Sequence, residues 1–473
     1  MSANKKSIFT GDDGKSLLFT FLLVSSLFLL WGFCNGMIDV MDKHFQEELG
    51  LTKSQSAWVQ FAHYLGYFLM SLPAGWLAVK LGYKGGIIAG LLIVALGGFW
   101  FIPATHINAL VHEGRVSSTT AFVAFLAGVC IIATGLTFLE TIANPYTTVL
   151  GDQRYAATRI NLAQSCNGIG WIFGPIVGSM YFYSKDTLGH STGSQTLYIP
   201  YVGVAIVVIV LAVIFYFANV PDIKAEDDYH LDDSKPVAAR SIWAHPHFVL
   251  AVAAQFFYVA AQAGIFSFFI NYMTAEVPAI PARWNSAMIN LAGSSGFLHG
   301  WLLGWFETGR DGVLSLSNKG ASNLASLGFV CFLAGRFSGA VLLRKFAAHK
   351  MLGLYAVLNV AATFLIFCKL GWLSVVCVFL SFFFMSIMFP TIFALGIFGL
   401  GARAKKASAF IVMAIMGGAI LPKLMGYVAD QYDMSRGFIV PMFCFALVAL
   451  YGFNWPRFSK AESLHGVRAS AGH

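Results

Sequence analysis

The chain has 473 residues, 58% of them apolar and only 11% charged, with a mean hydropathy of +0.71. A soluble globular domain carries roughly 25% charged residues, so the composition excludes a water-soluble fold. Its net charge of +8 is spread over loops on one side of a series of apolar runs, which is an orientation signal of membrane proteins and not a nucleic-acid patch.

The first sixteen residues carry Lys5, Lys6, Asp12, Asp13 and Lys15, and no small-residue cleavage site follows the first apolar run. That run therefore reads as a retained span and not as a signal peptide. Runs of about twenty apolar residues follow at 17–41, 57–79, 85–103, 119–149, 161–183, 197–219, 247–273, 321–343, 352–372, 373–399, 407–429 and 437–455. Each can cross a hydrocarbon core about 30 Å thick as a helix, and none has the ten-residue alternation of an outer-membrane barrel. The fold class is thus all-α, with twelve transmembrane helices. Lys80/Lys84, Arg154/Arg159, Arg344/Lys345/Lys350, Arg403/Lys405/Lys406 and Arg457/Lys460 all fall on one side. The positive-inside rule then places both termini in the cytoplasm, in a multi-pass protein of the cell inner membrane.

The long hydrophilic connection 220–246, centred on AEDDYHLDDSKP, divides the spans six and six into an N-terminal half (1–219) and a C-terminal half (247–473). The halves echo each other. Gly75-Trp-Leu-Ala-Val-Lys80 closes span 2 as Gly339-Ala-Val-Leu-Leu-Arg344 closes span 8. Asn144-Pro145 before Leu150-Gly151 in span 4 matches Phe389-Pro390 before Leu395-Gly396 in span 10. Two six-helix pseudo-repeats related by an axis along the membrane normal are expected. Residues 285–306 are apolar enough for a further span, but a crossing there would move the later basic clusters outside, and Gly293, Gly296, Gly300 and Gly304 interrupt the run. It reads as part of an interfacial or re-entrant insertion covering about 276–318. All seven Cys fall within spans without a CxxC pair, so free thiols are expected, and neither disulfides nor a metal site.

Polar residues inside the spans carry the functional reading. Asp39 and Glu140 lie in spans 1 and 4, where a charged side chain costs about 2.5–3.5 kcal/mol. Such acids usually face a bundle interior and mark an ion or proton path. A carboxyl whose surroundings alternate between water and protein changes its proton affinity as it does so, which makes Asp39 and Glu140 the proton-coupling candidates. Asp39 lies towards the outer end of its span and Glu140 nearer the inner half. Amides and rings follow at helical spacing: Asn35 with Asp39, Glu140 with Asn144, Gln164 with Asn167, and Gln255, Tyr258 and Gln262 on span 7. With Arg336 on span 8, they can hydrogen-bond the hydroxyls of a sugar, while aromatic faces cover its C–H surfaces. Taken singly, such amides equally serve as glue between helices, and His63, beside Tyr64 and Tyr67, reads as a core histidine. Lys423 has no evident partner.

At these residues the chain resembles the fucose permease group of the major facilitator superfamily. The resemblance runs through most of the chain and is carried by LETIANPYTTVLG (139–151), RINLAQSCNGIG (159–170), AHYLGYFLMSLPAGWL (62–77), FMSIMFPTIFALG (384–396) and SAFIVMAIMGGAILP (408–422). It implies proton-coupled import of a monosaccharide of the fucose, glucose/galactose or N-acetylglucosamine type. Asp39 and Glu140 are then the essential cavity carboxylates, and Gln164, Asn167 and Arg336 match substrate-site positions. Two positions depart from the pattern. Gly36 stands where fucose permeases carry Asn, and Phe389 where they carry Tyr, so the resemblance implies a pyranose without naming it.

The rival reading is a drug:proton antiporter of the same superfamily, on the strength of Gly170-x-x-x-Gly174-Pro175-x-x-Gly178. Small residues with Pro equally permit a close helix crossing and a hinge, which is the reading preferred here. A non-transporting nutrient receptor is a further alternative. No hydrolase triad or phosphate loop is present, so an enzyme is not expected. The expected partners are a small sugar, a proton and the lipid bilayer, with a monomer as the working unit, no cofactor and no nucleic acid.

Overall fold

The computed structural model describes residues 9, 16–150, 156–183, 193–221, 241–292, 301–308, 313–343, 346–398, 400 and 404–459. Most of the 220–246 linker lies outside the described residues, as do 293–300 and 309–312 of the insertion and the side chain of Asn144.

The architecture is helical and crosses back and forth, as expected. The first half comprises α1 (Leu18–Glu48), α2 (Trp58–His112), α3 (Ser118–Val149), α4 (Ala156–Phe182) and α5 (Tyr198–Phe217). The second comprises α6 (Pro246–Ser267), α7 (Asn318–Leu342), α8 (Ala348–Phe367), α9 (Trp372–Met385), α10 (Met388–Ile397), α11 (Ala404–Met413), α12 (Gly417–Gln431) and α13 (Ile439–Ser459). Two predicted spans run together in α2, which turns at Gly82 with φ 70° and ψ 178°. That is a backbone conformation glycine reaches without steric cost. Among the described residues, nine helical stretches of 20–32 residues are long and apolar enough to cross a membrane. The other three of the twelve crossings are the first part of α2, α4 and α7.

Crossings ten and eleven are broken. The tenth is divided into α9 and α10, and the eleventh into α11 and α12 by a 3₁₀ turn at Ala414–Met416. Mid-helix 3₁₀ turns frequently mark hinges, and irregular backbone at membrane depth is tolerated where protein covers it or it lines a cavity. The seventh crossing also breaks, at Phe268, before continuing as a short helix Phe269–Ala275.

The halves meet along two seams, α4 against α7 and α12 against the start of α2. These are crossings five with eight and eleven with two. A twofold axis along the membrane normal exchanges the two pairs, so the seams are images of one another, which is the internal symmetry the sequence echo predicts. Within the first half, α1 and α4 cross so closely that their backbones touch. A Cβ at Gly174 would meet the Cα of Gly36 at 2.7 Å, and one at Gly178 would meet the Cβ of Val40 at 3.2 Å. The glycine-proline motif is thereby occupied in helix packing, as preferred above.

In the insertion, an eleven-residue helix Ala282–Ala292 precedes a two-stranded antiparallel hairpin, β1 (Phe306–Thr308) with β2 (Leu314–Leu316). Residues 293–300, the middle of the run 285–306 read above as an insertion, lie outside the described residues. The seven cysteines are free.

Candidate functional site

We call the end of the bundle that bears the turn after α1 the upper end. There the two halves are bound together. Gln46 on α1 and Asn271 exchange side-chain hydrogen bonds, and Gln46 Nε2 also donates to Ser56 Oγ at 2.8 Å. Asp430, at the end of α12, accepts from the backbone N–H of Lys53 at 3.0 Å and of Ser54 at 2.8 Å. Ser179 and Asn323 bond at 2.9 Å across the α4–α7 seam, and Ser322 Oγ donates to Pro175 O at 2.9 Å. Asn318 Nδ2 donates to Glu47 Oε1. Lys423, for which the sequence offered no partner, lies 3.7 Å from the centre of the Trp58 ring, again across the halves. At the lower end, by contrast, Lys84 to Ala218 O, His247 to Phe398 O and Trp455 to Leu395 O each stay within one half.

Asp39 lies just below this closure and is 8% exposed. Its Oδ1 accepts from Gln60 Nε2 on α2 at 2.8 Å. Ser267, the last residue of α6, faces the carboxyl but outside hydrogen-bond geometry, so Asp39 Oδ2 and Ser267 Oγ both go without a partner among the described residues. One turn further along α1, Asp42 is fully buried.

Deeper in the bundle, Trp31 Nε1 donates to Tyr67 Oη at 2.6 Å. The Tyr67 hydroxyl stands beside Asn35, whose Oδ1 makes no hydrogen bond. His63 is wedged between the rings of Tyr64 and Tyr67, each 5.0 Å away, and its Nδ1 is unpartnered. It is a core histidine in position, although not a satisfied one. Tyr64 joins the groups together. It is within electrostatic reach of Asp39, Glu140 and Tyr258, and its ring lies against Gly418 of α12 in the other half.

The second half contributes Tyr258, whose hydroxyl donates to Met385 O at 3.0 Å, and Arg336, whose guanidinium stacks 4.9 Å above the Phe332 ring. Arg336 pairs with no carboxylate among the described residues, and its Nε is unpartnered. The Phe389 ring lies 6.4 Å from that of Tyr258. Gln255 is fully buried with neither amide atom bonded. Buried polar atoms are almost always satisfied, so this cluster of orphans in one region fits a site whose hydrogen-bonding partner is a solute. Glu140, Gln164, Gln262, Arg336 and Phe389 are each half-buried, as residues lining an accessible space would be.

Not every candidate lines it. Asn167 Nδ2 donates to Phe28 O at 3.3 Å, and a Cβ at Gly32 would strike its carbonyl, so Asn167 joins α1 to α4. Gly36 faces the same contact. A side chain there would meet Pro175 Cδ and Trp171 O at 3.0 Å, so the departure from the permease pattern tightens a helix crossing here. The sequence reading missed Gln60, Asp42, Trp31 and the Gln46–Asn271 pair. Asp42 was within reach, being three residues after Asp39 on the same face.

Comparison with known proteins gives the following. The sequence matches the Major Facilitator Superfamily over residues 17–317. It is 33% identical over 457 residues to the L-fucose-proton symporter of Escherichia coli, covering 93% of each chain. It is 30% identical over 439 residues to a glucose/galactose transporter of Brucella abortus, covering 93% of this chain and 94% of the other. The crystal structure of the transporter FucP in the outward conformation superposes with a TM-score of 0.63 at 32% identity, covering 93% of this chain and 99% of that one.

Proposed function

The chain belongs to the major facilitator superfamily, and we propose from that premise that it is a carrier importing a monosaccharide together with a proton. The observation that supports this best is the pairing of an acid with a solute site. Asp39 sits under the closure between the halves, while Glu140, Gln255, Tyr258, Arg336 and Phe389 gather around the space below it. Alternating access supplies the mechanism. With the upper end open, Asp39 takes a proton and the sugar is held by Glu140, Gln164, Gln255, Tyr258, Gln262 and Arg336. The halves then rock about the α4–α7 and α2–α12 seams, and the site opens below. Moving one charge through 100 mV yields about 2.3 kcal/mol, sufficient for roughly a fifty-fold sugar gradient.

We take the upper end as the outside of the cell inner membrane, with both termini on the cytoplasmic side, because Lys80, Lys84, Lys350 and Arg457 lie at the lower end. The conformation described is then inward-facing, and the half-buried site residues are reached from the cytoplasmic side. A single chain carries both halves of the site, which suits a monomer. The motif that favoured a drug antiporter is occupied in the α1–α4 crossing, so no feature of the site argues for export. External pH in lightly buffered cells tests the proposal directly. Addition of fucose, glucose, galactose or N-acetylglucosamine in turn produces alkalinisation with the transported sugar, and silence to all of them refutes sugar symport.

A further inference from the structure

The upper closure buries a second acid that the symport cycle above leaves unused. Asp42 has no exposed surface, its Oδ2 has no partner, and its Oδ1 meets only Gln46 Nε2 at the long distance of 3.5 Å. Four elements surround it. On α1, Asp39 lies one turn before it, and Lys43 is close but has its ammonium 3.4 Å from Glu47. The Lys53–Ser56 turn brings the Ser56 hydroxyl, which already donates to Lys53 O at 3.0 Å. The end of α4 brings the Tyr183 ring, whose hydroxyl donates to Val40 O at 3.2 Å. The Phe269–Ala275 helix brings Asn271, which is engaged with Gln46.

Among the described residues no cation forms an ion pair with Asp42, the nearby Lys43 being drawn to Glu47, and its donors are weak or shared. Burying a carboxylate anion on such terms is expensive, and a second carboxylate one turn away adds repulsion. A neutral acid meets neither penalty. Ser56 and Tyr183 cover Asp42 from its own half, and the group that the other half adds on closure is Asn271, which engages Gln46 directly above it.

We propose that Asp42 is a second proton-binding carboxylate, whose neutralisation is a condition for closing the Gln46–Asn271 contact over Asp39. Closure of the outer side then takes up protons on two acids of α1. This deepens the symport reading and rests on it for direction, since the upper end is the outside only under that orientation.

The test needs no sugar. Spin labels at Gln55→Cys and Tyr432→Cys, both exposed on opposite halves, are placed in a chain whose seven native cysteines are replaced. Their separation in detergent is measured by double electron–electron resonance from acid to alkaline pH. The closed population falls as pH rises, with a proton dependence approaching second order. In Asp42→Asn, the dependence drops by one order and the midpoint moves up by about one pH unit or more. A first-order parent, a parent gate insensitive to pH, or an Asp42→Asn chain with unchanged order and midpoint each overturns the proposal. If Asp42→Asn does not fold, the order seen in the parent decides alone. Failure here leaves sugar-induced alkalinisation intact, whereas failure of symport abolishes that alkalinisation and leaves the gate curve unchanged.

Discussion

Gln46 and Asn271 hold the two halves together by exchanging side-chain amides across the upper closure, with 8% and 3% of their surfaces exposed. An amide pair of this kind is stable when complete and costly when broken, because the surviving partner keeps its desolvation penalty without its bond.

Gln46→Leu should therefore open the gate. Leaving Asn271 buried and unpaired costs about 1–3 kcal/mol, a shift of about five- to 160-fold towards the open form. Replacing both residues by Leu removes both penalties and recovers most of the closed population. Resonance distances on the labelled chain measure it, and additivity of the two substitutions would count against a direct pair.

Gln255→Leu separates binding from stability. Both amide atoms of Gln255 are buried without partners, so an apolar replacement of similar size relieves a cost in the sugar-free protein. Melting temperature should rise by a few degrees, while the KM for the transported sugar should increase about tenfold or more, as loss of a buried polar contact to substrate implies. A lower melting temperature with an unchanged KM would show that Gln255 only supports packing.

Gly36→Asn restores the residue fucose permeases carry, yet it should damage this protein. The added side chain has nowhere to go between Trp171, Gly174 and Pro175, and overpacking of this kind costs about 1–3 kcal/mol. Lower thermal stability without gain of fucose uptake is the expected result. A stable variant that transports fucose would place position 36 at the sugar.

The upper ends of the second half carry a small ionic cluster. Lys369 Nζ lies 3.0 Å from Asp433 and 3.5 Å from Glu276, and Glu276 also accepts from Met434 N–H. Partial burial opposes ionisation of Asp433, but the Lys369 ammonium and the Arg436 N–H outweigh it and hold its carboxyl below the usual range. The contact raises Lys369 in turn. A lowered acid stabilises above its unfolded pKa of about 3.9 and loses that contribution as pH falls through the folded value. A raised lysine stabilises fully below about 10.4 and loses its contribution above the folded value. Both groups are partly exposed, so the effect is at most about 1 kcal/mol. Asp433→Asn should lower the melting temperature slightly at neutral pH and leave it nearly unchanged at the acid end, which flattens the acid limb of the profile.

The apolar runs, their alternation and the basic clusters carried the fold in the sequence, because hydrocarbon solvent tolerates few other arrangements. The breaks in crossings seven, ten and eleven were not legible, since each lies inside a continuously apolar run and is set by contacts such as Gly417 against the Phe256 carbonyl. Polarity within the spans is what singles out Asp39, Glu140, Gln255, Tyr258 and Arg336 as candidates in the sequence. Asp42 and Gln60 were missed because polarity at a helix end resembles an ordinary membrane boundary. Only the closure shows that Gln60 donates to Asp39 and that Asp42 is sealed. Asn167, polar and central in sequence, spends its amide on the Phe28 carbonyl between α1 and α4, a contact that polarity alone does not reveal.

The most direct test of proton coupling is Asp39→Asn in energised membrane vesicles, with the sugar identified by alkalinisation. Neutral Asn keeps the bond geometry to Gln60 but cannot release a proton. The account predicts that uphill accumulation is lost while exchange of labelled sugar down its gradient persists. Accumulation to the parent level by Asp39→Asn would contradict it.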